Sequence, residues 1–430
     1  MASSQASSTS RARGEIPDIP SQTWWDRLWA RFWMLPLWIV IGALILGFAL
    51  PMVDKALSGV LPFIFEGGPD GARAILTTIA TAMISVTGLV FSITMVVLQL
   101  ASSQFTPRVL GTFLSSRITQ ATLGVFTASF VFALTVLRSV RGEETNSIFV
   151  PQLSVSVAFL LVLASVGLFL AFIHHITSSI QVTNVIAAIG SHTLKLTDRL
   201  YPVSADEQDN RLGRTWSPEA GTSRQDVLAV GRHGYISYIN YSRLIDLARE
   251  LDAVISVGEE IGTYVVEDQK LAHVWGAREL DESDLATIGR CITLDSDRSM
   301  YQEVGFGMRQ LVDIAEKALS PGVNDPTTAT QVIHQIHRIL RVLVRRASPS
   351  PYLIDDEEVV RVVHRPQLIE DLIALSGEEI EHYASESVQV PRRLREMYTD
   401  LLEIADPRYR PALQRRLEVL DETCGTLQES

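Results

Sequence analysis

The sequence predicts a membrane protein of two unlike halves. Four transmembrane helices come first, then a cytoplasmic α+β domain in which a small β-barrel-like module precedes a helical C-terminal part. Three observations predict this. Four segments hold about 20 largely apolar residues each, enough to cross a roughly 30 Å hydrocarbon layer at about 1.5 Å per residue. The charge is uneven: residues 1–200 hold 12 Lys+Arg against 9 Asp+Glu, whereas 201–430 hold 25 against 40. The net charge of −12 therefore lies in the second half. Finally, short runs punctuated by glycine over 226–276 give way to helical periodicity over 277–430.

These balances exclude some classes. An acidic soluble half lacks the basic face that nucleic-acid phosphates demand. Cys291 and Cys424 are too few for a disulfide framework and fit no zinc spacing, so that half reads as belonging to a reducing compartment.

Residues 1–22, rich in Ser, read as a disordered N-terminus. The transmembrane domain is expected over 23–175. Trp24, Trp25, Trp29 and Trp33 gather before the first span, "FWMLPLWIVIGALILGFALPMV" (32–53), as interfacial aromatics do. That run is longer than a signal h-region, so it reads as a retained anchor. The second span lies within 74–101. The third is "ITQATLGVFTASFVFALTVL" (118–137) and the fourth "LSVSVAFLLVLASVGLFLAFI" (153–173). Arg27 and Arg31 precede the first span, and Arg108 and Arg117 separate the second from the third. The other two connections are neutral or acidic. This bias places both termini in the cytoplasm of a multi-pass inner-membrane protein.

The second span is unusual. No charged side chain occurs between Arg73 and Arg108, yet Thr77, Thr78, Thr81, Ser85, Thr87, Ser92 and Thr94 lie within it. On a helix Thr78, Thr81, Ser85, Gly88, Ser92, Met95 and Gln99 form one seam, spaced alternately three and four apart. Such a seam can serve close helix packing, each hydroxyl bonding back to its own i−4 carbonyl. It can equally line a path between several copies of the chain. In the second case Arg73 marks the outer mouth and Arg108 the cytoplasmic rim, and neutral donors between two arginine rings favour an anion or a small neutral solute. No span carries the Asp, Glu, Lys or Arg that would mark an ion-coupled transporter. His174 and His175 read as a solvated pair at the end of the fourth span.

In the second half, 176–202 reads as an amphipathic continuation of the fourth span, and 203–225 as a linker, together the connecting region 176–225. The β-rich module over 226–276 is expected to open with a strand and a turn in "VLAVGRHG", then to hold short strands near 235–241, 253–257, 263–267 and 271–275 around a helix at 243–251. Helices follow at 281–290, 303–319, 326–347, 366–384, 391–404 and 408–427, with a strand at 359–364. Between the second and third of these stands "ALSPGVNDPTTAT". Gly322 suits a left-handed helix-closing position, Asp325 an N-cap and Pro326 a first turn. Ser320, Gly322, Asn324 and Asp325 are the candidates for an anion or partner carboxylate at that helix N-terminus. His334 and His337, with Asp313 and Glu316 on the preceding helix, fall short of a metal set and read as packing. No metal, cofactor or catalytic residue is expected, and no nucleophile, zinc, phosphate-loop or dinucleotide fingerprint occurs at its required spacing.

Two stretches carry a family resemblance. "QLASSQFTPR" (98–108 region) and "GMRQLVDIAEKALSPGVNDPTTA" (307–329) resemble signature segments of the domain-of-unknown-function family 2254, described as bacterial membrane proteins. The likeness runs from the first span to the late helices. It implies four spans followed by a cytoplasmic domain, and no activity. The chain departs from the family's usual form at Glu260-Ile261, where "PGDFV" is common. Two functions follow as expectations. One is a homo-oligomeric channel or facilitator for an anion or small solute, embedded in lipid. The alternative is a membrane-anchored sensor or scaffold whose acidic domain binds a partner or ligand.

Overall fold

The computed structural model describes residues 33–56, 67–104, 117–141, 149–179, 181–202, 216–219, 221–384 and 387–425. The chain divides into two compact units, Gln22–Asn184 and a second formed mainly by Val185–Ser430.

The first unit holds four helices at the expected spans: α1 (Met34–Ala56), α2 (Pro69–Gln104), α3 (Arg117–Leu137) and α4 (Gln152–Ser179). All four are long and apolar enough to cross a membrane. Helix α2 has 36 residues, about 54 Å at 1.5 Å per residue, so it outruns a hydrocarbon layer. The four are held by α3, which carries many buried residues along its length. Near one end, Leu76, Ile79 and Met83 of α2 meet Phe132 and Val136 of α3 and Val155 of α4. Near the other, Val90 packs with Phe126 and Phe172. Helix α1 approaches α3 across two glycines. A Cβ on Gly124 would stand 2.8 Å from Ile39 Cδ1 and 3.0 Å from Pro36 Cα, and one on Gly47 would meet Thr135 at 3.0 Å. Small residues allow this approach, as membrane helices without a hydrophobic drive require. Asp54, near the end of α1, caps α4: its carboxylate accepts from the N–H groups of Leu153 (2.9 Å) and Ser154 (3.0 Å) and from the Ser154 hydroxyl (2.6 Å). It answers the unsatisfied donors of a helix start.

The second unit opens with α5 (Val182–Leu200), whose apolar face buries Val185, Ile186, Ile189 and Leu196. The single helix expected over 176–202 is therefore two, one ending at Ser179 and the next starting at Val182. Asn184 explains the stop: its amide donates to the Ser178 carbonyl at 2.9 Å and to Gln181 Oε1 at 3.1 Å.

After α5 come β1 (Ser223–Leu228), β2 (Gly234–Ile239), α6 (Tyr241–Glu250), β3 (Ala253–Val257), β4 (Tyr264–Val265), β5 (Lys270–Gly276), α7 (Glu282–Arg290), β6 (Ile292–Asp295), α8 (Val304–Leu319), α9 (Pro326–Leu343), β7 (Tyr352–Ile354), β8 (Val360–Val363), α10 (Ile369–Ala384), α11 (Gln389–Ile404) and α12 (Arg410–Gly425). The end of the expected linker, 223–225, is strand; residues 203–215 lie outside the described residues.

The strands close no barrel, which corrects the barrel-like expectation. They form two open sheets, β1-β5-β3-β8-β7 and β4-β2-β6. The reason is the fate of two edges. The free edge of β3 is taken by β8 in parallel, Ile255 against Val362 and Ser256 against Val363, and that of β2 by β6. Neither partner lies within 226–276. The three- and four-residue strands β6 and β7 were missed because runs so short carry no readable alternation.

Helices α10, α11 and α12 meet at a buried charge. Glu381, 1% exposed, is held by the Arg416 guanidinium and accepts from the Tyr398 hydroxyl at 2.7 Å. Burial, then the Glu381 charge, drives the Tyr398 phenol far above its usual range. Gly377 leaves room for the Tyr398 hydroxyl. Elsewhere burial lifts the Cys291 thiol to about 11 and makes it inert at neutral pH.

Arg416→Ala should lower stability by about 3–5 kcal/mol, since it leaves a buried carboxylate uncompensated. Arg392→Ala, which removes an exposed ion pair with Glu396, should cost less than about 1 kcal/mol. Denaturant unfolding of the full chain in detergent, scored against both variants, checks the contrast.

Candidate functional site: the outward seam of the second span

Helix α2 has two opposed faces. At about 100° per residue, Ala72, Leu76, Ile79, Met83, Val90 and Val97 share one side, and all are buried in the unit. Thr78, Thr81, Ser85, Gly88, Ser92, Met95 and Gln99 centre about 180° away, and all seven are exposed. The seam thus points directly away from its own protomer. Small-residue packing inside the protomer, the role Gly47 and Gly124 play, does not account for it. A Cβ on Gly88 would meet nothing within 4 Å.

The hydroxyls are partly self-satisfied. Thr78 donates to the Ala74 carbonyl at 2.7 Å and Ser85 to that of Thr81 at 2.9 Å. On the flank, Thr87 and Thr94 donate to Met83 and Val90 at 2.6 and 2.7 Å. Such back-bonding lowers the cost of a hydroxyl in a low-dielectric setting. It also fixes what the seam offers outward. At Thr78 and Ser85, with the proton turned inward, the oxygen presents its remaining lone pair outward.

The proposed mouths fare differently. Arg73 is exposed, stands about a quarter-turn from the seam, and pairs with Asp70 at 3.5 Å. Its charge is offset and does not lie over the seam. Arg108, with the 105–116 stretch that follows α2, lies outside the described residues.

The turn between α8 and α9 is built as a connection. Ser320 ends α8, its hydroxyl donating to the Lys317 carbonyl at 2.7 Å. The left-handed position expected at Gly322 falls instead at Asn324, with φ +47°. The Val323 and Asn324 N–H groups both reach the Ser320 carbonyl at 2.9 Å, so the chain reverses two residues later than the glycine suggested. Asparagine tolerates that region. Asp325 caps α9: Thr328 donates to it from its N–H at 3.1 Å and its hydroxyl at 2.6 Å. The Thr328 hydroxyl holds the Asp325 carboxyl below its ordinary value. The helix N-terminus that could take an anion is therefore already filled by a carboxylate of its own.

His337 is held on both sides. Arg393 donates to its Nδ1 at 2.6 Å, and its Nε2 meets Asp400 at 2.7 Å. Asp313 and Glu316 turn to Glu379, not to the histidines, the three carboxylates lying within 4.8 Å of one another. Burial, then Glu379, pushes the Glu316 carboxyl up. Glu379 and Asp54 were not singled out in the sequence; both act across sequence gaps that no local spacing reveals.

The comparisons with known proteins agree with this architecture. The profile of the domain-of-unknown-function family 2254, described as "predicted membrane protein", matches residues 29–400. The chain belongs to this family. Two relatives, uncharacterized proteins of Mycobacterium bovis and Mycobacterium tuberculosis, are each 33% identical to it over 333 residues, 76% of this chain. The chain spans 63% of the length of these relatives. No solved structure matches.

Two outcomes follow for this family member. Asp325→Ala should cost about 1 kcal/mol at neutral pH. Because the folded carboxyl titrates below its ordinary 3.8, the cap contributes fully above that value and is lost as pH falls through the depressed one. The gap between variant and parent in denaturant midpoint should hold at pH 6 and narrow as pH falls below the ordinary carboxylate range. Gly88→Leu should leave helicity and denaturant midpoint unchanged, since its side chain enters open space, whereas Gly124→Leu should lower the midpoint by colliding with Pro36 and Ile39.

Proposed function

We propose that this protein is a homo-oligomeric channel or facilitator of the bacterial inner membrane, with both termini cytoplasmic, in which α2 seams from several copies surround a solute path. The supporting observation is the seam's direction: its small and hydroxyl-bearing residues lie opposite the face that packs in the protomer. Facing lipid, that side would waste its polarity; facing copies of itself, it forms a water-compatible wall. The solute that suits it is small, neutral and rich in hydrogen-bond donors. An anion is the weaker choice, because the Thr78 and Ser85 oxygens face outward as acceptors and Arg73 is paired with Asp70. The reading assigns conduction and no catalysis.

Single cysteines along α2 in native membranes test it. Positions 78, 81, 85 and 92 should react with a small aqueous thiol reagent, while 79, 83, 90 and 97, turned into the protomer, stay silent. In liposomes, light scattering should show urea or glycerol entering faster than through empty vesicles, and Thr81→Leu with Ser85→Leu should slow it. Silence at all eight positions, with no solute entry, would remove the path.

The second reading, a membrane-anchored sensor, has one observation of its own: a largely apolar cavity within the second unit, with Tyr201, Tyr241, His364 and Arg365 among its lining residues.

A further inference from the structure

Helix α9 and the turn that closes it carry no acidic residue; none occurs from Pro326 to Ile354. The stretch holds Arg338, Arg341, Arg345 and Arg346 with His334 and His337, inside a half where Asp and Glu outnumber Lys and Arg by 40 to 25. His334, Arg338, Arg341 and Arg345 are all exposed. At about 100° per residue the first three share one stripe of α9, and Arg345 follows at its end. Helix α5 carries a second stripe of the same sign. His192, Lys195 and Arg199 recur three and four residues apart, and all are exposed. Partial burial, then the Lys195 and Arg199 charges, pushes the His192 imidazole down, as two cations beside it require.

The two stripes belong to one surface. A Cβ on Gly190 of α5 would stand 2.6 Å from Gln335 Oε1 of α9. Farther along both chains, Arg346 donates to the Thr197 and Tyr201 carbonyls at 3.2 and 2.9 Å and pairs with Asp198. The helices therefore run side by side in the same direction. Val185, Ile189 and Leu196 of α5 and Val332, Ile339 and Leu343 of α9 are buried. On a parallel pair, helical geometry sets these six on one side and both basic stripes on the other.

Most of this charge is uncommitted. Asp400 answers Arg341, and Asp198 answers Arg346. Lys195, Arg199, Arg338 and Arg345 make no ion pair with a described residue. Four such cations on one face of an otherwise acidic unit suit an anionic counterpart. The chain's own path sets which anion is nearest. Helix α4, long and apolar enough to cross a membrane, ends at Ser179, and α5 begins at Val182. The Asn184 amide closes that junction onto the Ser178 carbonyl. Lys195 lies about 20 Å along α5 from Val182 at 1.5 Å per residue. A membrane surface is thus tethered near this face at an effective concentration that a free partner does not match. Anionic headgroups repel the acidic bulk of the unit and attract this face.

We propose that the basic side of the α5–α9 pair docks on anionic phospholipid headgroups of the leaflet from which α4 emerges, holding the second unit at the membrane surface. The cytoplasmic placement in the reading above decides only which leaflet that is, and the contact needs no conduction.

The full chain in lipid nanodiscs tests it, with a fluorophore on His334→Cys and a nitroxide-headgroup lipid as quencher. The parent chain, labelled in parallel, gives the background from Cys291 and Cys424. Discs containing phosphatidylglycerol should quench the label more than discs of phosphatidylcholine alone. Raising salt from about 0.1 M to about 1 M, which shortens the screening length from about 10 to about 3 Å, should remove the difference. The triple variant Lys195→Gln, Arg338→Gln, Arg345→Gln should melt as the parent does, since all three side chains are exposed. Its ratio of docked to free unit should fall about a hundredfold, at about fivefold per cation. Equal quenching in the two lipids overturns the proposal and leaves the stripes to a soluble acidic partner. So does a lipid difference that persists at high salt or in the triple variant. Both faces of a disc carry the same lipid and no solute flow is read, so these outcomes are independent of the chain's orientation and of the α2 path.

Discussion

The structure depends on one constraint: within a hydrocarbon layer a polar group must find its partner in the protein, because no water is there to supply one. Helix α2 meets it locally, turning Thr78, Ser85, Thr87 and Thr94 protons back to carbonyls four residues earlier. Helices α3 and α4 meet it the same way, with one exchange open to them. Ser129 and Ser165 can each donate to their own helix, and at 3.3 Å apart in a buried pair either can instead donate to the other. Where a helix begins and no such carbonyl exists to spare its donors, Asp54 reaches across from α1 to close the start of α4. Hydroxyls so paired cost little to keep in an apolar helix, which is why this span can be rich in them and still insert.

The same residue types serve opposite purposes on different helices. Gly47 and Gly124 are packed so closely that a methyl group would collide, and they set the distance between α1 and α3. Gly88 touches nothing and sets no distance within the protomer. Small residues on a membrane helix therefore have no single meaning; their meaning comes from which side of the helix is already occupied. On α2 the bulky apolar residues Leu76, Met83, Val90 and Val97 take the occupied side. What remains outward is a mixed face, with Ile84, Leu89 and Phe91 beside the hydroxyl line. A face of that kind is apolar enough to lie in a membrane while carrying hydroxyls along its centre.

In the second unit the governing event is the capture of β3's edge by β8 from more than a hundred residues away. It opens what a local reading would close into a barrel, and it sets two strand ends side by side. The chains leaving those ends help line a cavity whose residues sit in six separate stretches of sequence. Around it, rigidity comes from buried polar groups with all their partners supplied: the Gln302 clamp on Ile239, the Arg298 clasp on Glu303, and the Glu381–Arg416–Tyr398 junction of the last three helices. The first and the last join residues far apart in the chain, whereas Arg298 and Glu303 lie within one loop-to-helix step of each other.

The sequence by itself determined the four spans, the order of the later helices and the Asp325 cap. Each of these is written in consecutive residues: a run of apolar side chains, a period of 3.6, a carboxylate placed before Pro326 and Thr328. It also determined that α2 would carry a hydroxyl line, since Thr78 to Gln99 repeat at helical spacing. It could not say which way that line faces, because periodicity fixes which residues share a side and not what lies opposite. Nor could it place the left-handed turn at Asn324 in preference to Gly322, where two residues can both adopt the conformation and the hydrogen bonds to Ser320 decide. Sheet closure, the Asp54 cap, the Glu379 carboxylate group and the cavity were decided by tertiary structure alone. Their partners are distant in the chain, and only folding brings a β8, a Glu379 or a Tyr201 to the place where its chemistry counts.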